Sequence, residues 1–422
     1  ARLLEGPGPR LIAHMGCRPS KIAPKQETAS EPAPPPPARP EAPSEQKISE
    51  IFTDAERAQQ LNGGTSGAEL LHSKLPAEYW GISLEQLQEF AHKVRKMLRV
   101  RGQETDSQLT NMSQAECKSR GIPHYDDAKF NDPNVGPNMY QLNEALVKPD
   151  TLREDPVRGI PCLSYALRQN SRQGLMCRLF ISHAWAEGVF EFTDAVVRSW
   201  PPECEGAYFC VLSNPQNLGA FLGHMIQTPR DSPFYRVLSC RPVQILMVAN
   251  GNAPIHSRLW CVYEAYCARI MGIPTAVTGD LSKFATDVRA SREADSAIRK
   301  AVKAKQLQEL IDKAAEDAAS DFDIIAAGIY DTRRRKALER ARPKTEAAMS
   351  RMRKALDVRK ATCTSESDGR AIRKEILGHE EKINAMLCGL IVDEHLKSAP
   401  PRNVKLTWYP WQDLIEGIRG MF

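Results

Sequence analysis

Four short, uninterrupted apolar runs restrict the folds open to this chain more than any other feature. They are Arg178 to Ser182, Ala207 to Ser213, Val243 to Ala249 and Pro274 to Thr278. Each has the length of a strand, and none alternates apolar with polar residues. That is the pattern of strands covered on both faces. Helical stretches separate them: Phe190 to Trp200, a less regular Leu218 to Ser239, and Arg258 to Met271. Strand–helix alternation calls for a parallel sheet with right-handed crossovers. In such sheets ligands gather at the carboxyl ends of the strands. Those ends are Ser182-His183-Ala184-Trp185, Ser213 to Asn217, and Asn250-Gly251-Asn252.

The region from the first run to the last makes up about a quarter of a chain of 422 residues, which leaves room for two or three domains. A net charge of +5 is too mild for a nucleic-acid partner. The basic run Arg333 to Lys336 sits in a charge-mixed helical region and reads as a solvated helix face. The 11 cysteines are odd in number and show no Cys-x-x-Cys spacing, which fits a reducing compartment. The nine histidines form no metal-binding motif, so no metal is expected. No apolar run is long enough to span a bilayer.

The first methionine is Met15, and Gly16-Cys17-Arg18-Pro19-Ser20 follows it. If Met15 starts translation, residues 1–14 are upstream sequence and residues 15–21 are a lipidation motif. Gly16 would be myristoylated and Cys17 palmitoylated, the two signals that stable anchoring needs. The chain is expected to be cytoplasmic, and in that case to lie on the inner face of a membrane. If translation starts upstream, the motif is silent. Residues 22–75 carry Pro34 to Pro37 and the Gly-rich stretch Asn62 to Gly67, and read as a disordered Pro-rich linker.

Residues 76–170 read as a small helical lead-in. Ser83 and Gln86 make a capping box before Leu84, Leu87, Phe90, Ala91, Val94, Met97 and Leu98 at helical spacing. Residues 286–422 read as helical, with a suggested repeat of Asp287 to Lys300 at Asp357 to Lys374. No fifth strand follows Asp280 directly, and Val404 to Trp408 is a late candidate.

Two motifs carry a family resemblance. Phe180-Ile181-Ser182-His183 resembles the opening strand of TIR (Toll/interleukin-1 receptor homology) domains. Ser257-Arg258-Leu259-Trp260-Cys261-Val262-Tyr263-Glu264 resembles the S-x-x-W-C-x-x-E stretch that opens a later helix in that family. The likeness is limited to about residues 177–280, inside a domain set at 171–285. It implies a flavodoxin-like α/β fold, a parallel sheet with helices on both faces. Helical N- and C-terminal additions and a disordered N-terminal arm would surround it. It also implies that Glu264 is the catalytic carboxylate of members that cleave NAD at the nicotinamide–ribose bond. Other members are adaptors that assemble through the fold. The loop after the second strand departs from the family, holding Asn214, Gln216 and Asn217.

The residues make a partly separate case for Glu264. Its i±3 and i±4 neighbours are Trp260, Cys261, Cys267 and Ala268, none of them cationic. A carboxylate on so apolar a helix is costly unless a tertiary partner or a cleft satisfies it, and burial would raise its pKa. An ion pair with an arginine such as Arg178, or a second exposed edge of the helix, would be the structural alternative. His183 would bind a phosphate or ribose, or be a satisfied structural histidine. Trp185 or Trp260 would stack on a flat base, or Trp260 would fill core. Asn214 is a further substrate-binding candidate.

Two classes of function follow. One is an NAD glycohydrolase working through Glu264, with NAD as substrate and no cofactor. The other is a non-catalytic signalling scaffold that associates with itself or with other TIR-like domains. Fold alone does not choose between them.

Overall fold

The computed structural model describes residues 42–99, 109–250, 254–280 and 356–398. The chain divides into residues 1–35 and 36–422. Gly16, Cys17, the proline run, Arg333 to Lys336, the first copy of the suggested repeat and Val404 to Trp408 lie outside the described residues.

At the centre is a four-stranded, all-parallel sheet in the order β2-β1-β3-β4. Its strands are β1 (Leu179–Ser182), β2 (Ala207–Phe209), β3 (Gln244–Ala249) and β4 (Thr275–Gly279). Phe180 of β1 pairs with Tyr208 on one side and Ile245 on the other. The expected second strand ran to Ser213, but β2 stops at Phe209. Cys210–Ser213 instead form one helical turn, tied back by a 3.0 Å bond from the Phe209 N–H to Ser213 Oγ. A short apolar run does not distinguish strand from buried helix, which explains the overrun.

The principal helices are α1 (Glu45–Asn62), α2 (Ser66–Lys74), α3 (Leu84–Arg99), α4 (Val189–Ser199), α5 (Gly219–Met225), α6 (Pro233–Ser239), α7 (Leu259–Ile270), α8 (Glu366–Ile376) and α9 (Glu380–Ser398). Alternate strand residues feed two cores. Leu179, Ile181, Phe209, Leu246 and Val248 share one with Phe192 and Val196 of α4 and Phe90 of α3. Phe180, Tyr208, Ile245 and Met247 share the other with Val237 of α6, Val262 of α7 and Ile372 of α8.

The lead-in is part of this body. Ser83 and Gln86 form the capping box of α3, with bonds of 2.9 and 3.2 Å. Just upstream, Ile82 exchanges backbone hydrogen bonds of 2.9 and 2.8 Å with Ala207, so the open edge of β2 is covered.

Residues 45–74, expected as linker, form a helical hairpin. Ile48, Ile51, Phe52 and Ala55 are buried at i, i+3, i+4 and i+7, a complete apolar stripe. Gly63 and Gly64 take the turn at φ 65° and 58°, where a side chain would be strained. Gly67 lets α2 approach closely, since a Cβ there would lie 2.8 Å from the Ala55 carbonyl oxygen. Arg158 fastens the hairpin, with Nη1 2.6 Å from Glu56 and the guanidinium 4.5 Å above the Phe52 ring. The stripe escaped the sequence reading because glutamate, glutamine and lysine surround it.

At the other end, Thr362 exchanges backbone bonds with Ser257 and Leu259, docking residues 356–398 on the start of α7. These residues are helical as expected. No fifth strand occurs among the described residues.

Candidate functional site

Ser182 ends β1 and His183 follows it directly, and neighbouring residues of an extended chain point to opposite faces. Ser182 turns toward α7. Its hydroxyl donates to Glu264 Oε2 at 2.6 Å. Glu264 is 5% exposed and Ser182 1%. No basic side chain forms an ion pair with Glu264 among the described residues, and the expected alternative of Arg178 is not its partner. Burial pushes the Glu264 carboxyl up to about 8, with the Ser182 hydrogen bond opposing the rise. Beside it, the Cys261 thiol donates to the His183 carbonyl at 3.2 Å.

His183 turns the other way, into the α4 core. Its ring lies against Phe209 and Phe192, with centroids 4.6 and 5.3 Å away. Nδ1 is 2.7 Å from Glu187 Oε1, and Nε2 is 3.1 Å from Cys210 Sγ. Asn250, just past β3, donates to Glu187 Oε2 at 3.4 Å. Trp185 donates its indole N–H to Cys210 Sγ at 3.2 Å. Glu187, His183 and Cys210 thus form one continuous chain of contacts at the carboxyl ends of β1 and β2, with Asn250 and Trp185 at its two ends.

Burial sets the protonation of this chain. It holds His183 down at about 3, with the Arg258 charge adding to the effect. It pushes the Cys210 thiol up to about 12, opposed by the Trp185 N–H. Glu187 is raised well above the carboxylate range by burial, then by the Glu191 charge, with Asn250 opposing.

The remaining candidates lie elsewhere. Asn214 is buried and accepts from the Tyr208 hydroxyl at 2.5 Å, on the α7 side of the sheet. Trp260 packs on Phe234 at 4.8 Å and on Tyr263 at 6.1 Å, in the core-filling role. His183 and Trp185 therefore meet at Cys210, whereas Glu264 meets Ser182, and the two sets share no side-chain hydrogen bond. Sequence reasoning missed Cys210 and Glu187. A glutamate four residues after a strand-end histidine was the available signal for Glu187. Among the described residues, no cluster of side chains is arranged to hold a metal, and no helix is long and apolar enough to cross a membrane.

No protein-family profile, curated protein or solved structure matches the chain.

Proposed function

We propose that this chain is a TIR-like signalling module that acts by associating with a second copy of itself. The observation that carries the reading is the enclosure of Glu264. A carboxyl that is 5% exposed, bonded to a buried serine and raised to about 8 is mostly the neutral acid at pH 7. A neutral, occupied acid is poorly suited to stabilise the positive charge that develops on ribose as nicotinamide leaves. It is well suited to clamp β1 to α7.

Two further observations support the reading. The strand order β2-β1-β3-β4 is the flavodoxin-like order without its fifth strand. After β2, α5 has no fully buried residue: Phe221 and Met225 pack on the core from its edge, and Leu222 between them is partly exposed. A partly open apolar helix of this kind is the contact we assign to a second copy. Lipidation at Gly16 and Cys17 would raise the local concentration of copies on a membrane. Light scattering across a concentration series tests the association. The wild type is expected to dimerise or grow, and Leu222→Asp to remain a monomer. A wild type that is monomeric at every concentration overturns the reading.

A second reading, NAD cleavage through Glu264, is favoured by one observation. Among the described residues no cation neutralises the carboxyl, and a pKa near working pH is typical of a catalytic acid.

A further inference from the structure

We propose that Cys210, His183 and Glu187 form a thiol-nucleophile triad that accepts an acyl group from a small thioester or activated ester. The site is distinct from Glu264 and does not depend on the module reading.

The geometry is that of a nucleophile, a base and an orienting group. Cys210 Sγ lies 3.1 Å from His183 Nε2, and His183 Nδ1 lies 2.7 Å from Glu187 Oε1. The indole of Trp185 is a donor only, so its N–H occupies a lone pair of the sulfur. In the tautomer that carries the imidazole proton on Nδ1, facing Glu187, Nε2 is bare and the thiol proton points to it. Asn250 holds the far oxygen of Glu187 and fixes its plane. Two protons thus fill the two gaps of the chain. The three groups come from the end of β1, the turn before α4 and the turn after β2, so the fold itself assembles them. Cys210 is partly exposed, whereas the His183 side chain is 1% exposed and that of Glu187 fully enclosed. Of the three residues Cys210 is the most exposed, so a substrate would approach from its side.

The chemistry follows from the burial. With the thiol raised to about 12, no standing thiolate is present near neutral pH. Chemistry that needs a resting thiolate, such as peroxide reduction, is disfavoured. Attack must be coupled to proton transfer, as it is for a serine nucleophile. Sγ bonds to the acyl carbon while its proton passes to Nε2. Glu187 holds the imidazole ring in place through Nδ1 as the proton is transferred, and the Trp185 N–H offsets the charge developing at sulfur. Collapse of the adduct breaks the bond to the leaving thiol or alcohol, which takes the proton from Nε2. One thioester and one thiol become a new thioester and a new thiol, with no redox change.

The test incubates the full chain with p-nitrophenyl acetate at pH 7 and maps the acetyl group by peptide mass. Rapid release of one equivalent of p-nitrophenolate is expected, with acetyl on Cys210 and little on the other cysteines. Cys210 should react about 10²-fold faster in the folded protein than in the urea-unfolded chain, and His183→Asn should remove that advantage. Glu187 acts through His183 and is a positioning residue. The proton it shares with Nδ1 should appear as a far-downfield resonance in the wild type and vanish in Glu187→Gln. Cys210 reacting no faster folded than unfolded would overturn the proposal, whether or not the variants fold. So would an unchanged rate in a His183→Asn protein of native circular dichroism, or absence of the resonance from the folded wild type.

Discussion

Ser182 Oγ donates to Glu264 Oε2 across 2.6 Å, joining the end of β1 to the middle of α7 through a bond closed to solvent. The folded state holds the Glu264 proton up to about pH 8, far above the ordinary 4.5. Its contribution to stability is therefore complete below pH 4.5 and is lost as pH rises through about 8. Glu264→Gln cannot ionise and keeps an acceptor for Ser182. The variant is expected to match the wild type near pH 5 and to exceed it by a few kcal/mol at pH 9, measured by urea unfolding. Equal stability at pH 9 would show that Glu264 is not enclosed in solution.

His72 gives the opposite slope. Its Nδ1 lies 2.8 Å from the Ala68 carbonyl, and its Nε2 accepts the Ser164 backbone N–H at 3.3 Å, so the neutral ring fits and the charged ring does not. Burial lowers it from 6.5 to about 4, with the Ala68 bond opposing. Its contribution is complete above pH 6.5 and declines as pH falls toward 4. His72→Gln, which can make both bonds without titrating, is expected to gain on the wild type by about 3 kcal/mol across that window. Urea midpoints of both proteins at pH 7 and pH 4 provide the comparison.

The α1–α2 hairpin is structural and not a spacer. Phe52 and Leu71 are fully enclosed in the core that also holds Trp80. Phe52→Ala should cost about 3–5 kcal/mol. Removing residues 42–75 should lower the thermal midpoint markedly and expose apolar surface to a dye such as ANS. An unchanged midpoint would restore the linker reading for this segment.

Glycine at 279 is required by contact. It sits at φ 94° at the end of β4, where a Cβ would fall 2.1 Å from the Ala249 carbonyl oxygen. Gly279→Ala should separate β4 from β3 and cost roughly 2 kcal/mol or more, a loss that chemical denaturation would register.

The legible parts of this chain are those in which one local signal sufficed. Continuous apolar runs marked β1 and β3 to within a residue, and Ser83 with Gln86 marked the start of α3. The hairpin was hidden because four apolar residues at helical spacing lie among charged ones, next to a proline-rich stretch that biases the reading. Glu264 was legible as an acid on an apolar helix. Its partner Ser182 was not, because the bond joins residues 82 positions apart. Cys210 lay unnoticed inside a run read as strand. Only the turn into helix at that residue brings its sulfur to His183.

The most direct measurement is NAD turnover by the full chain clustered on a surface, beside Glu264→Gln. With Glu264 enclosed as a neutral acid, the account predicts no nicotinamide release from either protein. Release by the wild type that Glu264→Gln abolishes would contradict it and make Glu264 catalytic.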